Sequence, residues 1–147
     1  MHGLVAARLG DCDMALRYFK QTASIDLADT HAAIAGGVHI GALGGLWQTA
    51  VFGFAGLSLL SDGVAFDPHL PASWNSLGFC FQWHGRHVKI RIGQGDRRLE
   101  ATLESGASMT LVVDGVSHEL RPDRTLRVFA AKPKPPTRLG QSAIEPL

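Results

Sequence analysis

An uncharged run rich in glycine extends from Ala32 to Leu60 and constrains the fold of this chain more than any other segment. It contains one ionisable residue, His39. Burying an imidazole among apolar residues costs free energy unless a partner or a ligand satisfies its ring nitrogens. The run therefore predicts a buried element, with either a partner or a ligand for His39.

The same run is long enough to span a membrane by length alone. However, several glycines, His39 and Gln48 interrupt it, and the nearest charged residues are acidic. Basic flanking residues, which orient membrane-spanning helices, are missing. We therefore expect a buried helix of a helical barrel and no membrane partner, with a membrane anchor as the alternative.

Composition narrows the functional classes. Of the 147 residues, 46% are hydrophobic and 18% are charged, whereas about a quarter are charged in a typical soluble domain. This shortage of charge predicts membrane contact or a large buried interface. The net charge of +1 gives no electrostatic case for binding nucleic acid. Met1 does not begin a secretory leader, and we expect a cytoplasmic location.

The two cysteines, Cys12 and Cys80, lie far apart in the sequence and form no Cys-x-x-Cys motif. This spacing argues against a disulfide framework and against a cysteine metal site. His84 and His87 flank a turn, but the sequence shows no third ligand beside them. We therefore predict no metal site and no resident cofactor.

The first part of the chain has helical periodicity. A short helix is predicted over His2 to Leu9, and a second over Asp11 to Leu27, with Asp11 or Asp13 as its N-cap. A third, long and apolar, is predicted from Ile40 or Leu43 to Leu60. An antiparallel pair of helices cannot bury its apolar face alone, so these helices need further partners.

After Gly63 the pattern alternates with period two, as in half-buried strands. Leu77, Phe79, Phe81 and Trp83 fall on one face, and Asp114-Gly115 is a strong signal for a two-residue hairpin turn. Strands at this spacing predict an antiparallel β-sandwich, with that aromatic face as its inner side. The fold class is therefore α+β, with helices first and strands afterwards.

Particular motifs resemble the C-terminal part of glycoside hydrolase family 65. They are GVHIGALGGLWQ (residues 37–48), YFKQTASIDLADT upstream (residues 18–30), and the Asp-Pro-x-Leu-Pro passage ending at Pro71, followed by Trp74. The resemblance implies the terminal helices of an (α/α)6 barrel over residues 1–62. It also implies an antiparallel, jelly-roll-like β-sandwich domain over residues 63–130. The proline-rich residues 131–147 fall outside the resemblance and are predicted to be a disordered tail.

The resemblance also implies a chemistry. Family 65 contains inverting phosphorylases of maltose, trehalose, kojibiose and related α-glucosides, together with some hydrolases. In the phosphorylases a glutamic acid protonates the glycosidic oxygen while inorganic phosphate attacks the anomeric carbon from the opposite face. The family places that acid on an earlier barrel segment, which has no counterpart here. We therefore assign no catalytic residue and expect the chain to be inactive alone.

One family role carries over to this sequence. The histidine of the Gly-Val-His-Ile motif, His39, is expected to bind phosphate, with Gly44 and Gly45 beside it in the same wall. Close packing against another helix is the alternative role of these two glycines. Expected partners are an α-linked glucose disaccharide, phosphate as co-substrate, and the missing N-terminal part of the barrel. The family's frequent dimers make a second copy of the chain a further candidate.

Several alternatives remain open at the level of sequence. The complete enzyme could be a trehalase-like hydrolase, or the chain could be a stand-alone carbohydrate-binding or structural β module. Trp47 could border a sugar, although a core position is the commoner role for such a residue. Asp26 and Asp29 could be paired carboxylates, although helix caps and loop turns are the commoner use of aspartate. Neither the disaccharide nor the oligomeric state follows from the sequence.

Overall fold

The computed structural model describes residues 2–27, 37–122 and 124–130. The helices come first: α1 (His2–Arg8), α2 (Cys12–Leu27) and α3 (Ile40–Gln48), which continues as a π-helical segment (Thr49–Phe54). The strands are β1 (Ser58–Leu60), β2 (Gly63–Phe66), β3 (Ser76–Trp83), β4 (Arg86–Gly93), β5 (Arg98–Ser105), β6 (Met109–Val113), β7 (Val116–Leu120) and β8 (Leu126–Phe129). The predicted tail at 131–147 lies outside the described residues.

A tight turn joins α1 to α2. Gly10 has a left-handed φ of 81°, and its N–H donates to the carbonyl of Ala7, while the N–H of Asp11 donates to the carbonyl of Ala6. These two bonds form a Schellman motif, which satisfies the last carbonyls of α1. The carboxylate of Asp11 then accepts a hydrogen bond from the N–H of Met14 at 3.0 Å. The prediction that Asp11 caps α2 is therefore confirmed.

The helix predicted to extend to Leu60 ends earlier, so that prediction is wrong. Helical geometry stops at Phe54, and Ser58–Leu60 form strand β1, which pairs with β2. The change occurs at Gly56, whose left-handed φ of 67° stops the helix. Periodicity could not locate this end, because the residues on both sides of Gly56 are apolar.

The surroundings of α3 also differ from the prediction of a helix buried on all sides. Within the described residues no side chain of α3 is buried, and Ile40 is 81% exposed. No helix in the described ranges has the length and apolarity needed to cross a membrane. Exposed apolar surface of this kind is typical of interaction sites.

The strands form two sheets packed face to face. The first sheet has the order β1-β2-β6-β7 and the second has the order β3-β4-β5-β8. Adjacent strands are antiparallel except for β2 and β6, which are parallel. The prediction of a sandwich is confirmed, while its expected purely antiparallel pairing is wrong at this one pair. Strands β3 to β5 provide the long crossover that parallel neighbours require.

The core lies between the two sheets. Fully buried side chains from both sheets meet there, among them Phe66, Ile90, Leu103 and Leu111. The aromatic face of β3 packs against this core, with the rings of Phe66 and Phe79 6.4 Å apart. The predicted inner face of the sandwich is therefore confirmed.

The helices are fastened to the sandwich through aromatic rings and backbone polar groups. Phe54 is fully buried, and its ring meets Trp74 edge-on at 4.9 Å and Phe19 at 5.8 Å. The guanidinium of Arg8 donates to the carbonyl of Leu57 at 2.7 Å. Such contacts hold α1, α2 and the π-helical segment that follows α3 against the sandwich.

The turn between β6 and β7 allows a test of whether its left-handed backbone conformation requires glycine. We expect Gly115→Ala to lower the free energy of unfolding by about 1–2 kcal/mol, since φ at this position is 78° and left-handed backbone is strained for alanine. Denaturant unfolding followed by circular dichroism measures the change. Gly95→Ala is the matched control, because an added Cβ there meets open space and φ is not left-handed. An equal loss in both variants would contradict the turn assignment.

Candidate functional site

His39 stands at the N-cap of α3. Its own side chain makes no capping bond to the helix. Instead, the backbone N–H and the ring Nδ1 of His39 both bond to Oδ1 of Asp26, at 3.1 Å and 2.8 Å. One carboxylate oxygen therefore fixes both the backbone and the ring of the predicted site residue.

Asp26 lies in the last turn of α2, where a negative charge opposes the helix dipole. Its side chain is only 11% exposed, and its Oδ2 atom is buried with no hydrogen-bond partner among the described residues. The hydrogen bonds from the His39 side chain and backbone lower the pKa of this carboxyl. Asp26 is therefore ionised at neutral pH, and the bonds to His39 explain why a carboxylate is accommodated at this position.

The partner also fixes the tautomer of the ring. An ionised carboxylate can only accept, so the proton between the two groups is carried by Nδ1 of His39. Nε2 on the far side of the ring stays available, and the side chain is 54% exposed. This nitrogen can accept a hydrogen bond from a ligand hydroxyl, or donate one to an anionic oxygen when the ring is protonated.

The N-terminal end of α3 adds a favourable field for an anion. The helix dipole presents partial positive charge beside His39, while two of the first-turn N–H groups already donate to carbonyls within the chain. Gly44 and Gly45 lie one turn further on, where their N–H groups belong to the hydrogen-bond ladder of the helix. An added Cβ at either glycine would meet nothing within 4 Å. These two glycines therefore leave room for a ligand to approach the helix backbone. Their predicted role in the phosphate site stays a prediction.

The other candidate residues from the sequence are Trp47, Asp26 and Asp29, of which the structure describes the first two. Trp47 is half exposed and lies edge-on to Phe52 at 5.4 Å, so within the described residues it is not a core side chain. Asp29 lies outside the described residues. Asp26 is neither a helix cap nor one of a described carboxylate pair, which corrects the interpretation of it as a cap or turn residue. An acidic residue in a last helical turn was the available signal for its role.

Sequence comparisons match two models of one family. Residues 1–48 match the glycosyl hydrolase family 65 central catalytic domain, and residues 57–120 match the glycosyl hydrolase family 65 C-terminal domain. Both motifs discussed above, at His39 and around Pro71, fall within these matches. The two ranges together cover most of the chain and exclude the proline-rich segment.

Curated relatives include the alpha,alpha-trehalose phosphorylase of Geobacillus stearothermophilus, 34% identical over 85% of this chain and 16% of that protein. The kojibiose phosphorylase of Halothermothrix orenii is 35% identical over 63% of this chain and 12% of that protein. This chain therefore spans only about a sixth or less of the length of these relatives. Among solved structures, a putative kojibiose phosphorylase from human microbiome has a TM-score of 0.78, with 22% identity over 90% of this chain and 19% of that one.

Proposed function

Because this chain belongs to glycoside hydrolase family 65, we propose that it is the C-terminal part of a disaccharide phosphorylase. In this proposal it supplies one wall of the phosphate site and the β-sandwich beside it. The substrate class is an α-linked glucose disaccharide, and inorganic phosphate is a co-substrate rather than a resident cofactor. The relatives named above are phosphorylases of trehalose and kojibiose, which supports this substrate class.

The pair formed by Asp26 and His39 is the observation that carries the proposal. A phosphate site needs hydrogen-bonding groups held in place before the anion arrives, since ordering them at binding costs free energy. Oδ1 of Asp26 fixes the ring of His39 through a 2.8 Å bond, and the N-terminus of α3 lies beside that ring. A fixed imidazole at a helix N-terminus suits recognition of a phosphate oxygen.

The uncovered surfaces of the helices support a missing remainder of the barrel as partner. Ile40, Leu43 and Trp47 on α3 are exposed. An apolar groove of about 450 Å³ also lies between α1 and α2, lined by Val5, Leu9 and Met14 among others. Further barrel helices would bury both surfaces, and burial of apolar area is the main favourable contribution to such packing.

The proposed reaction is phosphorolysis with inversion at the anomeric carbon. A carboxylic acid on the missing part of the barrel protonates the glycosidic oxygen, and the leaving sugar departs with that proton. A phosphate oxygen attacks the anomeric carbon from the opposite face and forms a glucose 1-phosphate. In this scheme the chain holds the nucleophile and contributes no acid, so it is inactive by itself.

The proposal is tested by restoring the remainder of the enzyme. We expect this chain, fused behind the N-terminal part of the trehalose phosphorylase of Geobacillus stearothermophilus, to release glucose 1-phosphate when phosphate is present. Trehalose, kojibiose and maltose are offered in turn, and product is quantified with and without phosphate. The chain alone, at the same concentration, is the control and is expected to release nothing.

Each other outcome argues for a different function. Free glucose released without phosphate would identify the hydrolase alternative. Glucose 1-phosphate released by the chain alone would show that its own residues include the acid. A folded fusion with no activity, together with sugar binding by the chain alone, would favour the carbohydrate-binding module.

A further inference from the structure

Three potential metal ligands of different chemistry meet on the outer face of the second sheet. They are Cys80 on β3, His87 on β4 and Glu104 on β5. One donor atom from each residue lies within 4.8 Å of the donor atoms of the other two. The proposed phosphorolysis makes no use of this cluster.

Strand pairing brings these residues together. Cys80 pairs with Lys89 and Gln82 pairs with His87, so Cys80 and His87 are diagonal neighbours on one face. The pairing of β4 with β5 shifts its register between His87 and Val88. This irregularity brings Glu104 beside His87, and the distance from Nδ1 of His87 to Oε2 of Glu104 is 3.1 Å.

We propose that Cys80, His87 and Glu104 form a site for a divalent transition metal, with Zn²⁺ as the preferred ion. Thiolate, imidazole and carboxylate are the three ligand types that Zn²⁺ takes in proteins. A tetrahedral ion with bonds of roughly 2.0–2.1 Å to nitrogen and oxygen places those two ligands about 3.3 Å apart. The 3.1 Å separation of Nδ1 and Oε2 fits that geometry.

Charge and exposure define the kind of site. A thiolate and a carboxylate together neutralise a divalent ion, while Lys89, on the same face opposite Cys80, adds a positive charge nearby. Cys80 is exposed, and His87 and Glu104 are each more than one-third exposed. The fourth position is therefore open to water, as in zinc sites with three protein ligands.

The test uses the full, untagged chain and the metal ions alone. We expect one Co²⁺ to bind per chain with a thiolate-to-metal charge-transfer absorption, and Zn²⁺ to displace it. Cys80→Ser should abolish that absorption. His87→Ala and Glu104→Gln should each weaken Zn²⁺ binding by at least about tenfold, as measured by competition with a chromophoric chelator. A loss of about tenfold is already the lower end of the effect of removing a residue that only hydrogen-bonds to a metal ligand.

Matched variants separate this site from adventitious binding. Cys12→Ser removes the only other cysteine, and His84→Ala removes the histidine on the adjacent turn; both should bind like the unmodified chain. Circular dichroism confirms that each variant is folded. Retention of the charge-transfer band in Cys80→Ser, or unchanged Zn²⁺ affinity in all three ligand variants, would overturn the site. Absence of binding by the folded, unmodified chain would overturn it as well, leaving only an ion pair between His87 and Glu104.

Discussion

Gly56→Ala is expected to lower the free energy of unfolding by about 4 kcal/mol or more, a large share of the 5–15 kcal/mol that stabilises a typical domain. Gly56 has a left-handed φ of 67°, where any other residue is strained. An added Cβ would also overlap the backbone carbonyl of Asp67. Backbone cannot rotate away as a flexible side chain can, so the two segments must separate.

That separation would break the junction between helices and sandwich. The N–H of Asp67 donates to the carbonyl of Gly56 at 3.3 Å, and the N–H of His69 donates to that of Phe54 at 2.7 Å. Each lost backbone bond costs about 0.5–1.5 kcal/mol. Val51, Ala55 and Leu57, which belong to the sandwich core, lie in or beside the displaced segment.

Urea unfolding of the unmodified chain and of Gly56→Ala, followed by circular dichroism, measures this loss in the free energy of unfolding. Gly41→Ala is the matched control, since an added Cβ there meets open space and alanine favours a helix by about 1 kcal/mol over glycine. That variant should equal or exceed the unmodified chain in stability. A loss below about 1 kcal/mol in Gly56→Ala would show that the close approach to Asp67 is not required.

His39→Ala, in the active fusion, is expected to raise the KM for phosphate by about tenfold to a hundredfold. A hydrogen bond to a charged group contributes about 1.5–3 kcal/mol, and each 1.4 kcal/mol corresponds to a factor of ten. The KM for the disaccharide should change much less, because the imidazole faces the phosphate in this proposal. Initial rates measured across both substrate concentrations separate the two constants.

Asp26 variants distinguish the positioning of the ring from its presence. Asp26→Ala removes both hydrogen bonds to His39, whereas Asp26→Asn keeps an acceptor oxygen and removes the charge. We therefore expect the rise in KM for phosphate to be largest for His39→Ala, smaller for Asp26→Ala and smallest for Asp26→Asn. His84→Ala, on a hairpin turn of the second sheet, is the control. Equal effects of His39→Ala on the KM for phosphate and for disaccharide would contradict the assigned role.

The sequence predicted the local elements well where the signal was local. Asp11 caps α2 and Asp114-Gly115 closes the hairpin of β6 and β7, as the sequence indicated. The alternation in β3 identified the inner face of the sandwich. In each case a few neighbouring residues contain all the information, because backbone preference and side-chain direction depend on short spacings.

The site was only partly predictable. His39 followed from its motif, but its partner Asp26 is 13 residues away on another helix, and no periodic pattern links the two. The cluster of Cys80, His87 and Glu104 depends on the pairing of three strands and on one register shift. From sequence spacing alone, His84 and His87 are therefore two histidines at a turn with no third ligand beside them.

The sequence by itself determined that helices precede strands, the N-cap of α2, the turn at Asp114-Gly115, the inner face of β3 and the family of this chain. Tertiary structure alone decided where the apolar run stops being helical, how β2 comes to lie parallel to β6, and which carboxylate holds the ring of His39. The physical reason is the range of the interactions. Caps and turns are settled by bonds within a few residues, whereas the approach of Gly56 to Asp67 and the bond between Asp26 and His39 exist only after distant segments have packed.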